Sequence, residues 1–214
     1  MEKKRIVIAL ICCLTAAGIS AQELQEIRLN APDKTRGSAT MKALSDRHSD
    51  REYSPQELSL QDLSDLLWAA NGVNRPDGKR TAPSAMNKQE IDVYAIRADG
   101  AYLYDAQAHS LKPVAGGDYR AAVAGSQDFA KTAPVCIVTV INLDKLGDPK
   151  AEHIRLMGAV DAGIVTQNIN LFCAAVGLST VPRASMDQDE LRKVLKLSDS
   201  QLPIMNNPVG YPKK

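Results

Sequence analysis

Three short stretches carry residues whose types and spacing suit the binding of a polar, anionic ligand. The first is Arg47-His48-Ser49-Asp50-Arg51-Glu52-Tyr53. Arg47 and Arg51 stand four apart, so they share a face on a helix and also in an extended segment. Two converging guanidinium forks, with His48 and Ser49 adding donors, are what a phosphate requires. The same composition also describes a solvated turn whose arginines pair with Asp46, Asp50 and Glu52. The second stretch is Pro83-Ser84-Ala85-Met86-Asn87-Lys88-Gln89. Ser84, Asn87 and Gln89 place hydrogen-bonding side chains on a backbone that Pro83 stiffens. Such a loop suits reading the polar edge of a flat heterocycle, and equally suits an ordinary turn into a strand. The third is Val181-Pro182-Arg183-Ala184-Ser185. Read as the approach to a helix N-terminus, it offers free backbone N–H groups to an anion or an electron-rich acceptor. Read blandly, it is a connection between two helices.

Other chemistries find no support. The histidines are His48, His109 and His153, and no G-x-S-x-G elbow or G-x-G-x-x-G turn accompanies them. No C-x-x-C and no His/Cys cluster has metal-ligand spacing. A net charge of +1 and 4% aromatic residues give no general attraction to nucleic acid and no base-stacking platform. The 214 residues, 44% hydrophobic and 24% charged, suit one globular domain with a buried core.

The element expected to position these stretches is a central helix within residues 157–182. Val160, Ile164, Val165, Ile169, Phe172, Ala175 and Val176 recur at helical spacing, and Ala159, Leu171 and Cys173 fill the remaining surface. Gly177 stands where a left-handed cap belongs. Asp161, Gln167, Asn168 and Asn170 make the run too polar for a membrane span, and Asp161 and Asn168 share one stripe. One small sheet does not supply this much burial, so a partner subunit is expected to cover part of the helix.

Around it, Ser38 is expected to cap a short helix over 38–45, with Met41 and Leu44 inward. Ser59 caps a helix to Ala70. Residues 91–96 and 101–105 form a hairpin through Asp99-Gly100, 109–119 are irregular, and 133–143 contain a buried strand. A last helix to Leu195 begins at a Ser185/Gln188 capping box. Helices and strands mix without alternation, an α+β pattern. Residues 1–21 read as a signal peptide: Lys3, Lys4 and Arg5 precede the apolar run 6–17 and the small residues before Gln22. Export with cleavage is expected, and a membrane anchor is the alternative. Residues 22–37 read as a flexible N-terminal arm and 38–214 as the domain. Cys136 and Cys173 read as buried free thiols, and a disulfide between them, which export would permit, is the alternative.

Together with the tail Gly210-Tyr211-Pro212-Lys213-Lys214, the three stretches resemble the nitroreductase-like flavoprotein family. RHSDREY stands where that family has R-[RH]-S-x-[RK]-x-[FY], and PSAMNKQ where it has P-S-[SA]-x-N-x-Q. AVGLSTVPRAS matches its buried helix running into a flavin-facing loop, and GYPKK matches its G-Y-P with basic residues. The resemblance runs from about Met41 to the C-terminus. It implies an α+β fold with a central mixed or antiparallel sheet flanked by helices, and a homodimer with the long helix at its interface and FMN between subunits. Arg47, His48, Ser49 and Arg51 would face the phosphate and ribityl chain, and Ser84, Asn87 and Gln89 the flavin ring. The backbone of Pro182, Arg183, Ala184 and Ser185 would lie against the reactive N5 edge. Lys213 or Lys214 would complete the phosphate site. The implied activity is that of an exported FMN-dependent oxidoreductase, moving a hydride through flavin N5 to or from a small organic substrate, with NAD(P)H a candidate donor. No side-chain acid or base is implied. The LLWAANG run at 66–72 resembles the branch that oxidises thiazolines and oxazolines. Glu90-Ile91 replaces the family's Pro-Trp, Ala184 replaces an acidic residue, and the sequence ends where the family has a longer tail. An exported flavin- or small-ligand-binding protein without turnover is the alternative.

Overall fold

The computed structural model describes residues 24–213; the expected signal segment and Lys214 lie outside the described residues. The elements follow in the order β1 (Ile27–Arg28), α1 (Thr40–Asp46), α2 (Leu60–Asn71), β2 (Ile91–Arg97), β3 (Gly100–Asp105), β4 (Ser110–Gly116), α3 (Arg120–Ala124), β5 (Val135–Asn142), α4 (Glu152–Val176), β6 (Ser179–Thr180), α5 (Gln188–Val194) and β7 (Gln201–Gly210). The strands form one antiparallel sheet in the order β1-β4-β3-β2-β5-β7-β6.

The fold is α+β, as expected, with helices on both faces of the sheet. Strand β5 explains why. Its side chains alternate: Ile137 and Ile141 join Leu63, Leu66, Val165 and Ile169 of α2 and α4. Cys136, Val138 and Val140 join Val123, Leu191 and Val194 of α3 and α5. A strand covered on both faces is apolar at every position, which is why it reads as a continuous hydrophobic run.

Helix α4 begins five residues before the expected stretch and ends as expected. Gly177 adopts φ 76°, ψ 31°, and its N–H donates to the Cys173 carbonyl. Gly158 lets α4 cross β5 closely: a Cβ there would lie 2.5 Å from Ile141 Cγ2. Among the described helices α4 alone is long and apolar enough for a membrane span. Its packing against β5, β7, α2 and α1 makes it the core helix instead. One stripe stays open, with Leu156 and Val160 exposed.

Several expectations are corrected. Ser38 does not cap α1; its N–H donates to Ala175 O of α4, and Ala39 holds the cap position. Small Ala43 is the residue α1 buries, leaving Met41 77% and Leu44 48% exposed. Residues 110–116, expected to be irregular, form β4, and the tail contains the ten-residue β7. Asp187, not Ser185, caps α5, its side chain accepting from Glu190 N–H. The stretch read as a loose arm is bonded along the domain: β1 pairs with β4, and Arg36 bridges Asp62 (2.6 Å) and Asp65 (2.8 Å) on α2. Cys136 and Cys173 are buried and free.

Candidate functional site

The segment 47–53 is fixed to β6 and the tail. Asp50 N–H donates to Thr180 O (2.9 Å), and Ser179 Oγ donates to Asp50 Oδ2 (2.9 Å). Tyr53, buried, donates its hydroxyl to Asp50 O and forms a bridge with Pro212. That bridge sets Lys213, exposed, beside the basic segment. Of the three carboxylates beside the arginines, Asp46 is engaged by Lys42 and Asp50 by Ser179 and His48, while Glu52 is exposed and forms an ion pair with neither arginine. Among the described residues neither Arg47 nor Arg51 has an ion-pair partner. Two guanidinium groups without an ion-pair partner among the described residues thus flank this segment.

His48 is exposed and turned onto its own loop, with Nδ1 2.7 Å from Asp46 O and Nε2 3.2 Å from Asp50. The Asp46 carbonyl, and then the Asp50 carboxylate, raise its pKa above the ordinary value. Ser49 is exposed.

Residues 181–185 line a cavity of about 420 Å³ together with Arg51, Gln127 and Phe129. The Phe129 ring is approached by two cations, Arg51 Cζ at 5.9 Å and Arg183 Cζ at 5.4 Å from its centroid. Arg183 is only 6% exposed, and it donates to Gln127 Oε1, Val123 O, Ala124 O and Asn206 Oδ1. All four acceptors are neutral, so its charge is uncompensated, and burial lowers its pKa. Arg183 N–H is used by Asn206 O, whereas Ala184 and Ser185 N–H donate to nothing among the described residues. The free donors therefore belong to the loop, not to the helix N-terminus expected there, since α5 starts three residues later. No carboxylate lines the cavity. Gln127 and Phe129 were not singled out from sequence. The available signal was an aromatic residue, one of two phenylalanines, in the polar run Ser126-Gln127-Asp128-Phe129.

The loop 84–89 stands apart from this cavity. Met86, Asn87 and Gln89 have φ of 50°, 54° and 49°, a left-handed backbone that bulky residues adopt only when held there. The holding bonds are visible. Ser84 Oγ accepts from Gln89 N–H (2.8 Å), and the Gln89 side chain bonds Gly78 O, Asn87 Oδ1 and Arg80 Nε. Ala85 N–H donates to Asp161 Oδ2 of α4 (2.6 Å). Asn168, on the same stripe of α4, donates to Ala70 O of α2. Asn87 is exposed and Ser84 half-buried. The anchor at Asp161 and the loop 181–185 lie toward opposite ends of α4. Fifteen residues separate Asp161 from Val176, about 22 Å of helix. Among the described residues no group of His, Cys, Asp and Glu could hold a metal ion.

The fold thus sets a cationic cavity beside an anchored basic segment in an α+β domain. Residues 44–211 match the nitroreductase family, and the chain belongs to it. A protein of Methanocaldococcus jannaschii named as a nitroreductase is 31% identical over 177 residues, 77% of this chain and 86% of its own. The NAD(P)H FMN reductase of Bacillus subtilis is 25% identical over 186 residues, 80% of this chain and 65% of its own. A crystal structure from Ralstonia eutropha, titled as a nitroreductase, superposes with a TM-score of 0.84 at 35% identity, covering 91% of this chain and 92% of that one.

Proposed function

We propose that this nitroreductase-family oxidoreductase binds FMN between two copies of the chain and exchanges a hydride with a small organic substrate. The observation that carries the reading is the cavity at 181–185, with two uncompensated guanidiniums, an aromatic ring, two free N–H donors and no carboxylate. These residues fit FMN. Arg47 and Arg51, with Lys213 beside them, suit a phosphate, because burying its charge demands cationic partners. Ala184 and Ser185 N–H suit the acceptor edge of the ring. Bound flavin supplies the hydride exchange at N5, and the protein supplies position, electrostatics and exclusion of water.

The separation along α4 supports the second copy. Within one protomer Asp161, which anchors the loop 84–89, stands about 22 Å of helix from the end of α4 that leads to the cavity, which favours a site whose two parts come from different protomers. Leu156 and Val160 on α4, Met41 and Leu44 on α1, and Met86 in the loop are exposed apolar side chains suited to such an interface. NAD(P)H, carried by the name of the Bacillus relative, is the proposed electron donor. Thiazoline and oxazoline rings, to which residues 66–72 point, are the first substrates to screen. Export is proposed from residues 1–21, and the mass of the native protein tests it: a chain retaining Met1 removes that part of the reading.

The central test is the absorbance of the purified protein. A flavin spectrum that NAD(P)H bleaches without oxygen is expected. A colourless protein that takes up no FMN overturns the reading. A yellow protein that NAD(P)H does not bleach is a binding protein without that turnover.

A further inference from the structure

Glu90 enters β2 directly after the strained loop. It is fully buried, and neither carboxylate oxygen meets a donor among the described residues. The group it faces is the carboxylate of Asp161, itself buried on α4. Two ionised carboxylates are both acceptors and repel, whereas a proton between them turns one into a donor to the other. The remaining charges nearby are Lys145, Asp92 and Arg80. Lys145 Nζ, from the turn Leu143–Lys145, lies 3.2 Å from Gln89 O and 3.1 Å from Asp92 on β2, so its charge is shared. Arg80 bonds the Gln89 side chain. Asp161 is also the acceptor for Ala85 N–H, the bond that ties the loop to α4. The loop, with three residues at positive φ, depends on such bonds.

We propose that Glu90 and Asp161 share one proton, and that this proton latches the loop 84–89 in its left-handed form. The proton lies on Glu90 and is donated to Asp161, whose other oxygen accepts from Ala85. When it leaves to solvent, two like charges remain in a buried site, and one carboxylate must turn outward. If Asp161 turns, Ala85 loses its acceptor; if Glu90 turns, the start of β2 and Gln89 move with it. Either way the loop loosens. Burial, and then Asp161, push the Glu90 carboxyl up to about 7, so the change falls within the ordinary working range of pH. The inference concerns the loop itself and stands whether or not the loop reads a flavin.

The test uses the purified full chain without added cofactor. Hydrogen-exchange protection of Ala85 and Gln89 N–H is measured from about pH 5.5 to about pH 8.5, corrected for the intrinsic pH dependence of exchange. Protection is expected to fall about tenfold per pH unit as pH rises toward the midpoint and to level off above it. In Glu90→Gln, whose amide donates permanently, protection is expected to stay flat. A flat wild-type profile, or a variant that follows the wild-type curve, overturns the proposal. Should the variant fail to fold, wild-type protein labelled with ¹³C at glutamate is read by infrared absorption. A protonated carboxyl band present at about pH 6 and gone at about pH 8.5 supports the latch, and its absence at both overturns it.

Discussion

Arg47 and Arg51 acquire their meaning from what their neighbours do. Asp46 and Asp50 are taken by Lys42, His48 and Ser179, leaving two guanidiniums without an anion. Arg47→Ala or Arg51→Ala is therefore expected to weaken FMN binding by about 2–3 kcal/mol, the scale of a charge-assisted hydrogen bond. Lys213→Ala is expected to cost less, being exposed near the chain end. Riboflavin, which lacks the phosphate, should bind the arginine variants and wild type alike; titrating each with both flavins by fluorescence checks this. The thiols give a second prediction at this scale. Burial pushes Cys136 up to about 12 and Cys173 higher still, so neither forms a thiolate near neutrality. A thiol reagent should find nothing in the folded protein. After unfolding it should find Cys136 and Cys173 alone if residues 1–21 are removed, and Cys12 and Cys13 as well if they are retained.

At the scale of elements, the cap of α5 decides between two readings of one loop. Asp187→Ala should lower stability by about 1 kcal/mol, whereas Ser185→Ala should leave the cap intact. Gly158→Ala should cost about 1–3 kcal/mol, because the new methyl collides with Ile141 and Leu146. Urea unfolding of the three variants measures all of this. What could be read from sequence at this scale followed burial. β5 is apolar through its length because both its faces are covered, α4 buries only the face it turns to the sheet and α2, and α2 shows its stripe and its Ser59 cap. β4 and β7 escaped notice because Pro113, Pro203 and Pro208 punctuate them. Each is flanked on its outer side by only a two-residue strand, β1 or β6, so a missing N–H is tolerated there. The candidate segments at 47–53 and 181–185 could be singled out because their residue types are unusual together, and Arg51 and residues 181–185 meet in one cavity. Phe129 and the Glu90–Asp161 pair could not be singled out. Residues 71 positions apart in sequence meet only once α4 crosses the start of β2.

For the whole molecule, the buried carboxyl sets a pH dependence of stability. Glu90 holds its proton more tightly folded than unfolded. Its contribution is thus complete below the ordinary value of 4.5 and is lost as pH rises through about 7. Wild type is expected to lose at most about 3 kcal/mol across that window, read as a falling melting temperature, and Glu90→Gln to lose less. A curve that rises with pH, or two curves that coincide, would count against a protonated Glu90. The proposed sharing of one site between two protomers has a genetic consequence. A chain lacking both arginines and a chain with a crippled 84–89 loop should each be inactive alone. In a mixed pair, one site inherits both intact halves and the other inherits neither. Two null alleles in one cell should then complement, and random pairing should restore about a quarter of the sites. A site built within a single protomer would give no complementation at all.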